Sequence, residues 1–156
     1  MIDPPHQHPV LSDERLAELF ANLADAVIIA DPEGSIIYWN ASATRLFGWS
    51  HEDALGQSLD IIIPERLRAR HNKGYAKVMI TGHTDYGTKL LEVPAVHKDG
   101  SGLSIAFTVS LIAKPGQAAP LAIVAVLRDE TARWLERRAM KTELAALKRT
   151  THEEAD

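Results

Sequence analysis

Runs of β-branched and apolar residues stand at the two ends of this sequence, with a long helical pattern between them, and that segregation limits the fold more than any other feature. The front pair is Ala26-Val-Ile-Ile-Ala30 and Ser35-Ile-Ile-Tyr-Trp39, joined by Asp31-Pro-Glu-Gly34. A connection of four residues holding proline and glycine marks a hairpin. The rear runs are Thr88–Val96, Leu103–Ala113 and Leu121–Arg128, parted by a turn at Lys98-Asp-Gly-Ser101 and a loop opened by Pro115-Gly116. Strands gathered around a helical insert imply an α+β domain with an antiparallel sheet. Helices would cover one face of that sheet, and the space between the layers is where a pocket can form.

The helical stretches carry their own punctuation. Asn40 can cap a short helix bearing Ala43, Leu46 and Phe47, with Gly48 placed to end it. A second short piece, His51–Leu55, stops at Gly56. After the apolar Leu59–Ile63, Pro64 suits the first turn of a longer helix running to about Ile80 and closed by Thr81-Gly82. Ser12 or Asp13 can cap a helix whose Leu16, Leu19, Phe20 and Leu23 share a face. A charged helix from Asp129 to about Arg149 carries Arg133, Arg137, Arg138, Lys141, Lys148 and Arg149. Trp134, Leu135, Met140, Leu144 and Leu147 give it an apolar side of barely one heptad, fit to pack on a partner subunit. The expected division is a disordered arm over 1–11, a flanking helix over 12–24, a core over 25–129, a second flanking helix over 130–150 and a tail over 151–156. The arm holds three prolines with His6 and His8, and reads as solvated.

Composition narrows the function classes. At 156 residues, with 46% hydrophobic and 24% charged residues, the chain suits one globular domain. A formal net charge of −4 argues against nucleic acid as the main partner. With no cysteine, disulfides, thiolate metal sites and cysteinyl-flavin photochemistry are excluded. No apolar run approaches the ~20 residues that cross a bilayer, and the first residues lack a signal-peptide pattern. A cytoplasmic protein is expected. No nucleophile elbow or glycine-rich phosphate loop occurs, so an enzyme is not expected. Nothing in these residues reads as a kinase, cyclase or DNA-binding region, so a stand-alone sensor is the expectation.

The order of elements and their punctuation resemble the PAS sensor family. The resemblance rests on Asp31-Pro-Glu-Gly-Ser-Ile-Ile-Tyr-Trp-Asn40, Ala43, Leu46-Phe-Gly-Trp-Ser50, Glu52, Leu55-Gly56, Ile63-Pro64-Glu65, Lys98-Asp-Gly, Leu127-Arg-Asp129 and Thr131. It implies a PAS fold: a five-stranded antiparallel sheet with helices on one face, plus N-terminal and C-terminal flanking helices. Family members commonly dimerise through those flanking helices, so a homodimer and a separate signalling partner are implied here.

A narrower run, Ile63-Pro-Glu-Arg-Leu-Arg-Ala-Arg-His71 with Thr81-Gly82 downstream, is similar to the haem-binding PAS domains of bacterial oxygen sensors. That likeness implies b-type haem, with His71 as the proximal iron ligand and a diatomic gas or redox state as the signal. Lys77 falls where rhizobial members place an arginine near a haem propionate. The distal side departs from the family: Leu91 replaces the oxygen-stabilising arginine, and Lys89 replaces the methionine ligand of enterobacterial members. Phe107 and Val109 match apolar residues of the distal pocket, which implies either a five-coordinate iron favouring carbon monoxide or nitric oxide, or a sixth ligand that the likeness does not identify.

Such chemistry needs a neutral imidazole facing a pocket with water-excluding walls. Tyr75 and Met79 follow His71 by four and eight residues, so all lie near one helical face, which Leu67 extends. Met79 has a thioether able to reach an iron, although a core role is the plainer reading. Three readings stay open: haem on His71, flavin or another small ligand, and a cofactor-free interaction module. Flavin would want amide groups in the pocket, and Asn40, Asn72 and Gln57 are poorly placed for it. His83 and His97 are expected to face solvent, and Trp39 and Trp49 to pack under the helices.

Overall fold

The computed structural model describes residues 11–113, 115–117 and 119–153, with side chains to residue 149. Nearly all of the expected arm, including His6 and His8, and residues 154–156 of the tail lie outside the described residues. The elements are α1 (Asp13–Asn22), β1 (Ala26–Ala30), β2 (Ile36–Trp39), α2 (Ala41–Phe47), α3 (His51–Ala54), a 3-10 turn (Leu59–Ile62), α4 (Glu65–Thr81), β3 (Leu91–Val96), β4 (Gly102–Ala113), β5 (Pro120–Asp129) and α5 (Thr131–Glu153).

One five-stranded sheet runs in the order β2-β1-β5-β4-β3, antiparallel throughout. The last strand thus enters the middle of the sheet. Its Ala125 and Ile123 stand opposite Ile28 and Ala30 of β1 on one side, and Val109 and Leu111 of β4 on the other. Directly paired residues share a face, and this face turns toward the helices. Its lower part joins Ala26, Ile28, Ile105 and Leu127 to Ile36, Trp39, Ala43, Phe47 and Ala54. Trp39 and Phe47 meet with ring centres 5.6 Å apart. The upper part centres on Ala30, Met79, Val109 and Ile123.

Local chemistry explains the punctuation. Asp31 Oδ1 accepts from the N–H groups of Glu33 and Ser35, and Gly34 takes φ +86°, so the turn between β1 and β2 closes as its composition implies. Asn40 caps α2 through Ala43 N–H at 2.9 Å. Ser12 caps α1, and Pro64 immediately precedes α4. Helix α5 is held to the face of the sheet opposite the core by Arg137, which grips Glu92 of β3 at 2.8 Å and 3.2 Å. No described helix is long and apolar enough to cross a membrane.

Two details depart from the sequence expectation. Strand β3 begins at Leu91 rather than near Thr88: its ladder with β4 stops at the Leu91–Phe107 pair, and the next β4 donor, Val109 N–H, goes instead to the Tyr86 carbonyl at 3.4 Å, leaving residues 87–90 out of the strand. His97 is not a free surface residue: its side chain is 27% exposed and its ring lies over Gly48, close enough that a β-carbon there would sit 2.4 Å from it.

Candidate functional site

Helix α4 lies across the upper part of the sheet and presents His71, Tyr75 and Met79 along one side. Met79 is buried against Ala30, Val109 and Ile123, with Tyr75, Val78, Phe107, Leu111 and Ala125 packed around them. The Tyr75 hydroxyl donates to the Asp31 carbonyl at 2.5 Å, fastening α4 to the turn of the β1–β2 hairpin. Burial pushes the Tyr75 phenol far above its ordinary range, and the charges of Asp31 and Glu33 add to the effect.

His71 sits one turn earlier, half-buried, with its ring centre 5.9 Å from that of Tyr75. Its Nδ1 lies 3.0 Å from Asn72 Oδ1. Asn72 Nδ2 in turn donates to the Asp60 carboxylate, at 3.1 Å to Oδ1. Among the described residues the Nε2 atom of His71 has no hydrogen-bond partner.

The structure therefore gathers Tyr75, Met79, Phe107 and Val109 into one apolar layer, with His71 joined to it through Tyr75. Leu91 stands opposite Phe107 on the same face of the sheet. Leu67 is half-buried one turn before His71. Lys77 is not part of this group; it is exposed, and its carbonyl accepts the Thr81 hydroxyl at 2.9 Å. Asp60 and Asn72 are the members sequence reading missed. Their contact spans twelve residues and depends on the 3-10 turn that precedes α4, for which an apolar run gives no signal.

The donor set constrains the chemistry. No cluster of three or more histidine or carboxylate groups able to hold a metal occurs among the described residues. A zinc centre takes three or four protein ligands, whereas an iron held by a porphyrin needs one from the protein. One imidazole can supply the single ligand of the second case, and its Nε2, not among the buried unpartnered atoms, is open to solvent at the edge of the apolar layer. Room is a separate matter. Hollows of about 580 Å³ along α5 and 310 Å³ around Asp25, Ser42, Arg45 and Arg128 touch none of these residues. The layer between α4 and the sheet is taken up by Tyr75, Val78 and Met79.

A flavin finds fewer partners. The Asn40 amide is fully engaged with backbone groups, Asn72 is exposed and bound to Asp60, and Gln57 is exposed. Two buried donors have no hydrogen-bond partner among the described residues: the Tyr38 hydroxyl on β2 and Trp49 Nε1, whose ring packs against the lower core.

Comparison with known proteins agrees with the architecture. The model of the PAS fold matches residues 14–130. Sensor protein FixL of Bradyrhizobium diazoefficiens is 35% identical over 69 residues, which is 44% of this chain and 14% of FixL. Oxygen sensor protein DosP of Escherichia coli is 28% identical over 109 residues, 66% of this chain and 13% of DosP. The chain thus spans a small part of the relatives it matches. Among solved structures, the PAS domain of a Colwellia psychrerythraea protein superposes with a TM-score of 0.65 at 24% identity, covering 76% of this chain and 97% of that one. A family match over most of the chain, on a five-stranded sheet with this strand order, means that the chain belongs to the PAS family.

Proposed function

We propose that this PAS sensor domain holds a b-type haem through Nε2 of His71 and reports a diatomic gas or a redox state through its flanking helices. The observation that carries the reading is the half-buried His71 imidazole, bare at Nε2 and in ring contact with the Tyr75–Met79 layer. Similarity to an oxygen sensor, DosP, supports it. Bound here, haem iron would supply the gas-binding or electron-accepting centre.

The chain's own residues set the conditions. His71 is the ligand, and Tyr75 packs beside it. Phe107, Val109 and Leu91 give the sheet side an apolar surface and offer no side-chain hydrogen-bond donor, which weakens retention of oxygen relative to carbon monoxide. Lys77, exposed at the helix surface, is available to pair with a propionate, a contact worth about 0–1 kcal/mol in water. Because Tyr75, Val78 and Met79 fill the layer, occupancy by a porphyrin requires their side chains to move. A sensor gains its signal from such a difference, since a ligand shifts conformation only by the energy that distinguishes two states. PAS domains are sensory modules, and sensing rather than turnover is the role proposed.

The test is an absorption spectrum of the purified chain, as isolated and after hemin reconstitution, in air and reduced under carbon monoxide. A Soret band is expected, with hemin affinity in His71→Ala weakened at least about tenfold, since losing even an outer-shell partner of a metal ligand costs ~10–100-fold. No Soret band, or one indifferent to His71→Ala, overturns the assignment. A second reading, a different small ligand in the core, rests on the unpartnered Trp49 indole. Flavin or other co-purifying absorbance that Trp49→Phe removes would favour it.

A further inference from the structure

We propose that Asp60 and Asn72 act as positioning residues that fix His71 as its Nδ1–H tautomer and so leave the Nε2 lone pair free for a metal. The inference rests on the haem reading for its purpose, but the tautomer itself is a property of the chain alone. A carboxylate only accepts hydrogen bonds. Asn72 therefore turns its NH2 toward Asp60, at 3.1 Å and 3.4 Å from the two carboxylate oxygens. The reversed amide would set its carbonyl oxygen against that charge. With the NH2 so committed, Oδ1 faces His71 Nδ1 at 3.0 Å. An amide oxygen also only accepts, so Nδ1 must carry the proton. A neutral imidazole has one N–H, and Nε2 is left bare.

The anchor of the relay is itself held. Asp60 lies in the 3-10 turn, where its N–H donates to Ser58 Oγ at 3.2 Å and its carbonyl accepts from Ile63 N–H at 3.2 Å. The carboxylate is thus presented to α4 by a braced backbone. A hydrogen bond to the non-ligating nitrogen orients the ring and raises its basicity, and loss of such a partner costs ~10–100-fold in metal affinity. His71 is half-buried, so water competes with Asn72, and the carboxylate behind the amide strengthens the acceptor through cooperative polarisation.

Long-range ¹H–¹⁵N correlation spectra of the labelled chain without cofactor, at a pH about two units above the ordinary histidine value of ~6.5, read the tautomer directly. The signal is assigned by its loss in His71→Gln. The Nδ1–H pattern is expected, in contrast to the Nε2–H form that an isolated histidine side chain favours in water. Asn72→Leu and Asp60→Ala should move His71 toward Nε2–H. The exchange Asp60→Asn with Asn72→Asp, which reverses amide and carboxylate while keeping an acceptor on Nδ1, should retain the Nδ1–H form. An Nε2–H pattern in the wild-type chain, or no change in Asn72→Leu, overturns the relay. Hemin titration of the same samples separates this from the cofactor reading. A relay with no Soret band would leave the tautomer intact and remove the haem, whereas a His71-dependent Soret band on an Nε2–H ring would do the reverse. If both hold, Asn72→Leu should bind hemin about tenfold more weakly than the wild-type chain.

Discussion

Asn40 shows what a single side chain does in this fold. Its Oδ1 accepts from Val27 N–H at 3.0 Å and Ala43 N–H at 2.9 Å, and its Nδ2 donates to the carbonyls of Phe20 at 3.2 Å and Asp25 at 3.1 Å. Each bonding position of the amide is used, and the residue is 3% exposed. It thus ties the end of α1, the start of β1 and the start of α2 to one point. Asn40→Ala strands four backbone groups. Each costs about 1–3 kcal/mol if left buried and unpaired, and partial entry of water brings the sum to about 3–5 kcal/mol, the range of severe point mutations. Urea denaturation checks this, and a loss below about 1 kcal/mol would show that Asn40 is an ordinary cap. Sequence reading found the cap alone, because Ala43 is three residues away and local spacing exposes it. The other partners lie 13 to 20 residues off, across a hairpin and a loop, and no local pattern reports them.

At the scale of elements, the join between α2 and the β3–β4 hairpin governs how the lower core closes. Gly48 ends α2 at φ +78°, and a β-carbon there would meet His97 ring atoms at 2.4 Å. Beside it, Lys98 N–H donates to the Phe47 carbonyl at 2.8 Å, so the hairpin rests on the helix end. Gly48→Ala therefore carries two penalties: about 1–2 kcal/mol for the left-handed backbone, and a clash of similar size, as for overpacked cores. In a His97→Ala background the first remains and the second goes. A double-mutant cycle should give a coupling of about 1–2 kcal/mol, and simple additivity would mean that the ring swings aside at no cost. The strands, the caps of α1 and α2, and the extent of α4 were legible because turn residues and apolar periodicity are local signals. The placement of His97 was not, since a histidine before an Asp-Gly turn looks solvent-facing until another element arrives over it. The site divides in the same way. The face shared by His71, Tyr75 and Met79 follows from helical spacing, whereas the Asn72–Asp60 contact follows from the geometry of the preceding turn.

For the whole molecule, the flanking helices pose a problem the monomer leaves unsolved. No residue of α1 is buried, and Leu16, Leu19 and Phe20 stand exposed along it. On α5, Trp134, Leu135, Met140, Leu144 and Leu147 are exposed as well. Apolar side chains gathered along exposed helices are surface that a partner can cover. A second copy of the chain is the occupant proposed, since both helices leave the core from adjoining strand ends. Ala26 pairs with Leu127, and just outside that pair Arg128 grips Asp25 at 2.9 Å and 2.7 Å. A two-fold axis near this junction would bring like faces of both helices together, as isologous interfaces require. It would also place the contact where a shift of β5 is felt. Sedimentation of the chain at tens of micromolar should show a dimer. Leu19→Glu together with Leu144→Glu should shift it to monomer, because each places a charge on the apolar face that the partner would have to desolvate. Circular dichroism should be unchanged, since neither residue is buried in the protomer. If the wild-type chain is monomeric at those concentrations, the exposed faces serve a different partner. If the double variant stays dimeric, the two-fold contact lies elsewhere on the domain.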